Sequence, residues 1–380
     1  MRTRIIAATA VATVCLGAAA SASHAETTTP SSSDLLTKAR SYARDTSKSL
    51  LTQSPAAESS TSTAATLSRI AGSDRYQTAV KVSQAALPDK AAEGAMVFVA
   101  SGLNFPDALA GGPAAAHMAS PVLLVPSTGT LPSAVAAELD RLHPAGIGVI
   151  GGSGAVSDAM VTQLQSHATQ EVFRVAGANR FETAAALSDF TVDFDAAQQP
   201  IFPKTVYIAN GIGFADALSG GANAAREGAP LLLTTATSLP SPTAGVLDLM
   251  QPTTVVIMGG TGVVSSSVQS AVAAILPSAK IVRIAGADRF DTSAKASLYA
   301  FPTPAGVVTG TWLANGNNYP DALAAAPVVG LFGDVSLLLT KTACVPAPIV
   351  TEDNRLAPAE RTAVGGTAAV SDAALALTPC

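Results

Sequence analysis

From residue 67 to the C-terminus, apolar runs of four to six residues alternate with Ala-rich stretches of helical spacing. The runs VFVA (97–100), PVLLVP (121–126) and GVIGG (148–152) are apolar or small at nearly every position, not at alternate ones. Strands of that kind are buried on both faces, as in a parallel sheet covered by helices. Between them, PSAVAAELDRL (132–142) and SDAMVTQLQS (157–166) carry helical spacing and open on Pro or Ser, residues suited to a helix start. Strand alternating with helix predicts an α/β fold with parallel sheets.

The same pattern occurs three times, and this periodicity outranks any local signal. Each copy opens on a charged motif: RIAGSDRYQTA (69–79), RVAGANRFETA (174–184) and RIAGADRFDTS (283–293), spaced by 105 and then 109 residues. A strand, a Gly turn and Asp-Ala-Leu follow: VFVASGLNFPDAL (97–109), VYIANGIGFADAL (206–218) and TWLANGNNYPDAL (311–323). Next come PVLLVP (121–126), PLLLTT (230–235) and SLLLTK (336–341), and then a strand entering a double glycine: GVIGGSGAVS (148–157), VIMGGTGVVS (256–265) and TAVGGTAAVS (362–371). Each repeat is about 100 residues, enough for its own core. The expected domains are 67–170, 171–279 and 280–380.

The N-terminal segment, residues 1–66, differs. Arg2 and Arg4 precede the apolar stretch 5–20, and Ser-His-Ala ends at Ala25, so residues 1–25 read as a secretory signal cleaved after Ala25. Residues 26–66 are rich in Ser, Thr, Ala and Pro and read as a linker. One helix is expected over 34–51, with Leu35, Ala39, Tyr42 and Ala43 on one face and Ser33 as its cap.

Charge and cysteine content narrow the function classes. Cleavage after Ala25 removes two arginines and leaves 20 Lys+Arg against 27 Asp+Glu, a net of −7. An acidic chain is a poor general nucleic-acid binder, but cations focused in one pocket still hold an anion. No apolar run after the N-terminus is long enough for a transmembrane helix of about 18 residues, so no stable membrane insertion is expected. Of three cysteines, Cys344 and Cys380 remain after cleavage, and in an exported chain they are candidates for a disulfide. His117, His143 and His167 all lie in the first repeat, too few and too clustered for a metal site or a repeated catalytic base, so no metal or cofactor is assigned.

The opening motif carries the candidate chemistry. Its glycine turn precedes a helix that Asp74 or Asn179 can cap, which places Arg75, Arg180 and Arg289 in the first helical turn. Arginine there suits a carboxylate or phosphate. The same arginines could instead pair with Asp107, Asp216 and Asp321 and fix the packing within or between domains. The double glycines read as tight turns. Thr78, Thr183 and Thr292 recur without a base, and the carboxylate of Asp74 gives way to Asn179 in the second copy, so no catalytic residue is assigned. Three copies of such a site suit multivalent binding.

These ordered landmarks resemble the type 2 cell-wall-binding repeat family, found in triplicate on surface proteins of Gram-positive bacteria. The R-[IV]-A-G-x-[DN]-R-[FY]-x-T box is the main identifier, and the resemblance covers about residues 67–380. It implies three tandem Rossmann-like domains packed as a pseudo-threefold triangle. It also implies non-covalent attachment at the cell surface to an anionic wall polymer, such as a teichoic-acid-like glycan. The family's proline-apolar-Leu-Leu stretch, associated with polymer binding, maps onto Pro121, Val122, Leu123 and Leu124 and onto Pro230, Leu231, Leu232 and Leu233. The third repeat departs, with Ser336 in place of the proline. Two other readings are a wall-remodelling hydrolase with an unrecognised site and a purely structural surface protein.

Overall fold

The computed structural model describes residues 65–88, 95–194, 197, 199–303 and 307–380. The signal sequence and the helix expected over 34–51 lie outside the described residues. The first repeat comprises β1 (Thr66–Ile70), α1 (Arg75–Ala86), β2 (Met96–Ser101), α2 (Gly111–His117), β3 (Val122–Val125), α3 (Ser133–Leu142), β4 (Gly146–Ile150) and α4 (Asp158–Leu164). The second comprises β5 (Glu171–Val175), α5 (Arg180–Ser188), β6 (Thr205–Asn210), α6 (Ala215–Glu227), β7 (Leu231–Thr234), α7 (Ser241–Met250), β8 (Thr254–Met258) and α8 (Ser266–Ile275). The third comprises β9 (Lys280–Ile284), α9 (Arg289–Ala300), β10 (Gly310–Asn315), α10 (Pro320–Phe332), β11 (Val335–Thr340), α11 (Ala347–Leu356), β12 (Glu360–Val364) and α12 (Asp372–Leu375).

The strands form three parallel four-stranded sheets, in the orders β3-β2-β4-β5, β7-β6-β8-β9 and β11-β10-β12-β1. Each sheet takes its last strand from the next repeat. The third takes β1, from the start of the first repeat, so the ring closes on itself. Ile70 lies beside Val364, Val175 beside Ile150 and Ile284 beside Met258. The helix after each shared strand then packs on the following sheet, α1 on β3, α5 on β7 and α9 on β11. Sequence periodicity placed domain limits at 67, 171 and 280. The sheets divide instead inside the opening motif, between its strand and its helix, because hydrogen bonding assigns the strand to the preceding sheet.

The central strands are buried along their length, as their unbroken apolar composition requires. At the centre of the ring α2, α6 and α10 pack against one another. Small residues permit that approach: Gly112 faces Ala326 and Pro327, and a Cβ on Gly330 would overlap Ala225. A disulfide joins Cys344 to Cys380, and a bridge between Val345 and Pro379 runs beside it, tying the C-terminus to the third sheet's loops. No helix among the described residues is long and apolar enough to cross a membrane.

Candidate functional site at the sheet junctions

The opening motif is a compact helix-start device. A Cβ on Gly72, Gly177 or Gly286 would overlap Gln77, Glu182 or Asp291 of the first helical turn, so close approach demands glycine. The N–H of each glycine is accepted by the motif threonine, at 3.1 Å by Thr78, 3.1 Å by Thr183 and 3.0 Å by Thr292. Asp74, Asn179 and Asp288 cap α1, α5 and α9 by accepting backbone N–H groups. Capping uses only an acceptor oxygen, which explains why asparagine serves in the second copy. Asp288→Ala is expected to lower stability by about 1 kcal/mol and Asp288→Asn to leave it nearly unchanged, read from denaturant midpoints.

The two arginines of each motif have separate tasks. The first serves the sheet that its own strand joins. Arg69 donates to Gly365 O at 2.8 Å, Arg174 to Gly151 O at 2.7 Å and Arg283 to Gly259 O at 2.8 Å, which staples each shared strand to a double-glycine loop. The second arginine reaches across to the next sheet. Arg75 donates to Gly102 O at 2.5 Å, Arg180 to Gly211 O at 2.6 Å and Arg289 to Gly316 O at 2.8 Å. Each carbonyl lies directly after the central strand of that sheet.

Close ion pairs between these arginines and Asp107, Asp216 or Asp321 do not form among the described residues. The loop carbonyls take the guanidinium groups, and the carboxylates sit against the first glycines of the double-glycine turns. Gly259 and Gly365 have φ values of 96° and 105°, left-handed conformations that favour glycine, and a Cβ on either would overlap Asp216 or Asp321. The nearby charges come from other repeats. Arg75 faces Asp321, and Arg289 and Thr292 face Asp216. Burial outweighs both cations. It raises the Asp216 carboxyl above the ordinary aspartate range and pushes Asp321 up to about 6.

The site sits where open α/β sheets place ligands. In each sheet the chain crosses first to one side of the central strand and then to the other, which makes a switch point at the carboxyl ends of β2/β4, β6/β8 and β10/β12. The Asp-bearing loop and the double-glycine loop meet there. At the second sheet's switch point a cleft of about 520 Å³ opens toward the third repeat. Its wall includes Asn210, Ile212, Phe214, Asp216, Gly260, Arg289 and Thr292. The Arg289 guanidinium carbon lies 5.6 Å from the centre of the Phe214 ring, within cation–π range.

One feature of the junctions escaped the sequence reading. Phe105, Phe214 and Tyr319 meet on the pseudo-threefold axis, with ring centroids 5.1, 5.5 and 5.9 Å apart. They link the three switch-point loops, and Phe105 reaches the cleft formed by the other two repeats. The available signal was an aromatic two residues before each recurring aspartate. By contrast, Pro121, Val122, Leu123, Leu124 and Pro230, Leu231, Leu232, Leu233 are buried in or beside β3 and β7. In this fold those side chains are closed off from the surface. No cluster of three or more metal-ligand side chains exists among the described residues.

The chain matches the Cell wall binding domain 2 (CWB2) family over residues 69–161, 174–269 and 283–375. It is 30% identical over 259 residues to the N-acetylmuramoyl-L-alanine amidase LytC of Bacillus subtilis (strain 168), covering 68% of this chain and 47% of that protein. It is 28% identical over 279 residues to the amidase enhancer of the same organism, covering 73% of this chain and 35% of that protein. Among solved structures it superposes on Cwp6 from Clostridium difficile with a TM-score of 0.74 at 25% identity, over 85% of this chain and 49% of that one. Cwp8 from the same organism gives 0.69 at 27% identity, over 80% and 50%. The chain thus spans half or less of the length of each of these relatives. Three matched repeats, each holding one copy of the arginine motif and one switch-point loop, place this chain in the cell-wall-binding domain 2 family.

Proposed function

We propose that this protein attaches non-covalently to an anionic glycan of the cell wall, in the clefts where neighbouring sheets meet, and acts as a binder without catalytic activity. The observation that carries the reading is the cleft at the second switch point. It joins an exposed arginine, an aromatic face and a set of hydroxyl, amide and carboxyl groups. An arginine supplies a bidentate partner for a phosphate or carboxylate substituent. Asp216, Asn210 and Thr292 suit sugar hydroxyls, and Phe214 offers an apolar ring face. A paired-carboxylate hydrolase finds less support. Asp288 lines the same cleft, but its carboxylate accepts the Phe290 and Asp291 N–H groups as a helix cap, and Asn179 stands at the same place one repeat earlier. An export signal at residues 1–25 fits a wall location.

The test is a pull-down of the purified protein with isolated walls across a salt series. Strong retention at low salt and release at high salt are expected, because arginine–anion contacts at a wet surface are screened. Walls stripped of their anionic polymer should retain at least about tenfold less, the loss expected when linked sites are removed together. Equal retention on stripped walls would sink the reading. Release of labelled sugar or peptide from walls by the pure protein would instead revive the hydrolase.

A further inference from the structure

The three junctions differ at one side chain. Resting on the reading of the junction arginines as polymer contacts, we infer that the chain binds through Arg180 and Arg289 and not through Arg75, because the Tyr319 hydroxyl pre-empts the third site. A backbone carbonyl of the first repeat holds that hydroxyl. Tyr319 donates to Gly102 O at 3.0 Å, the carbonyl that Arg75 also uses, which sets the tyrosine hydroxyl beside the Arg75 guanidinium. The hydroxyl fills the space beside the guanidinium that a ligand anion would take.

At the equivalent place, the second and first repeats carry Phe214 and Phe105, which have no hydroxyl. Arg289 donates to Gly316 O and has no other hydrogen-bond partner among the described residues, while its side chain stands exposed over Phe214. Among the described residues Arg180 likewise donates only to Gly211 O. The loop lips differ in the same sense. Leu103 and Ile212 are 58% and 65% exposed beside the first and second switch points, and Ile212 lines the cleft. Asn317 replaces them in the third repeat. An apolar lip covers a sugar face, whereas an exposed asparagine leaves the third junction without that surface. Tyrosine hydroxyl and missing lip are separate departures, and both fall on the junction that Arg75 serves.

Four variants test this on isolated walls that carry their polymer, with stripped walls as control: Arg75→Gln, Arg180→Gln, Arg289→Gln and Tyr319→Phe. Thermal unfolding confirms that each variant is folded. Arg180→Gln and Arg289→Gln should each lower retention about tenfold or more, the loss expected when one of two linked sites fails. Arg75→Gln should stay within about twofold. Tyr319→Phe removes the hydroxyl beside the Arg75 guanidinium without altering the arginine, and should raise the salt concentration needed for release. Loss with Arg75→Gln equal to that with Arg289→Gln overturns the inference. So does a Tyr319→Phe protein that elutes at the wild-type salt concentration, which keeps the test open if Arg75→Gln fails to fold. Unchanged retention in both Arg180→Gln and Arg289→Gln overturns the underlying reading of the arginines instead.

Discussion

Removing residues 1–71 is expected to unfold the third sheet, some 240 residues further along the chain, while removing residues 1–64 leaves it intact. The first truncation deletes β1, which completes the sheet containing β10, β11 and β12. Five residue pairs of parallel ladder disappear from β12, and Arg69 no longer donates to Gly365 O, Val370 O and Asp372. At a net contribution of about 1 kcal/mol for each hydrogen bond, the loss is on the order of 5 kcal/mol, comparable with the whole stability of many domains. The chain supplies its own reporter. Trp312, the single tryptophan, is buried in β10 and packs edge-on to Phe332 at 5.9 Å. Its emission should shift to the red in the longer truncation, and its urea midpoint should fall well below that of the 1–64 truncation. An unchanged tryptophan midpoint would show that the closing strand contributes little. Arg69→Ala alone should move the same midpoint part of the way.

That long-range closure marks the limit of what the sequence disclosed. Apolar runs without alternation predicted parallel sheets covered by helices, and strands form within or around those runs, at Met96–Ser101 and Val122–Val125. The pattern records that β1 is a strand, but nothing in TLSRI names its partner, because any parallel edge satisfies the same backbone groups. Pairing with β12 follows from ring geometry. The recurring Arg and Asp misled in a similar way. Opposite charges that recur together suggest an ion pair, yet a guanidinium at a helix start can also reach a free loop carbonyl. Arg75, Arg180 and Arg289 all chose that partner. What the sequence placed well was the motif itself: the caps at Asp74 and Asn179, to which the structure adds Asp288, and the arginine one residue later. The Phe105, Phe214 and Tyr319 cluster stayed hidden because contacts on a threefold axis join positions over 100 residues apart, and no local period reveals them.

Asp321→Asn should stabilise the protein at neutral pH and lose that advantage in acid. Asp321 is half-buried against the Gly365 turn, and desolvation pushes its carboxyl up to about 6 from 3.8, with Arg75 only partly offsetting the cost. Between those values the folded chain keeps a proton that the unfolded chain releases. The contribution of the site to stability is therefore full below about pH 4 and falls as pH rises through about 6. A shift of this size corresponds to about 2–3 kcal/mol, lost in full at pH 7.5. Asparagine has the same shape and no charge to desolvate, so unfolding free energies of variant and wild type should differ by up to that amount at pH 7.5 and converge near pH 4. A constant difference across this range would mean that the carboxylate is already well solvated or well paired. A carboxylate that burial penalises, as at Asp216 and Asp321, is unlike a packing device. At the second junction Asp216 bears the same burden inside the open cleft, where it can accept hydroxyl donors from a bound sugar. The third junction, closed by Tyr319, keeps the cost without that use. Asp321→Asn should accordingly raise stability and leave wall retention unchanged, whereas Asp216→Asn should raise stability and weaken retention.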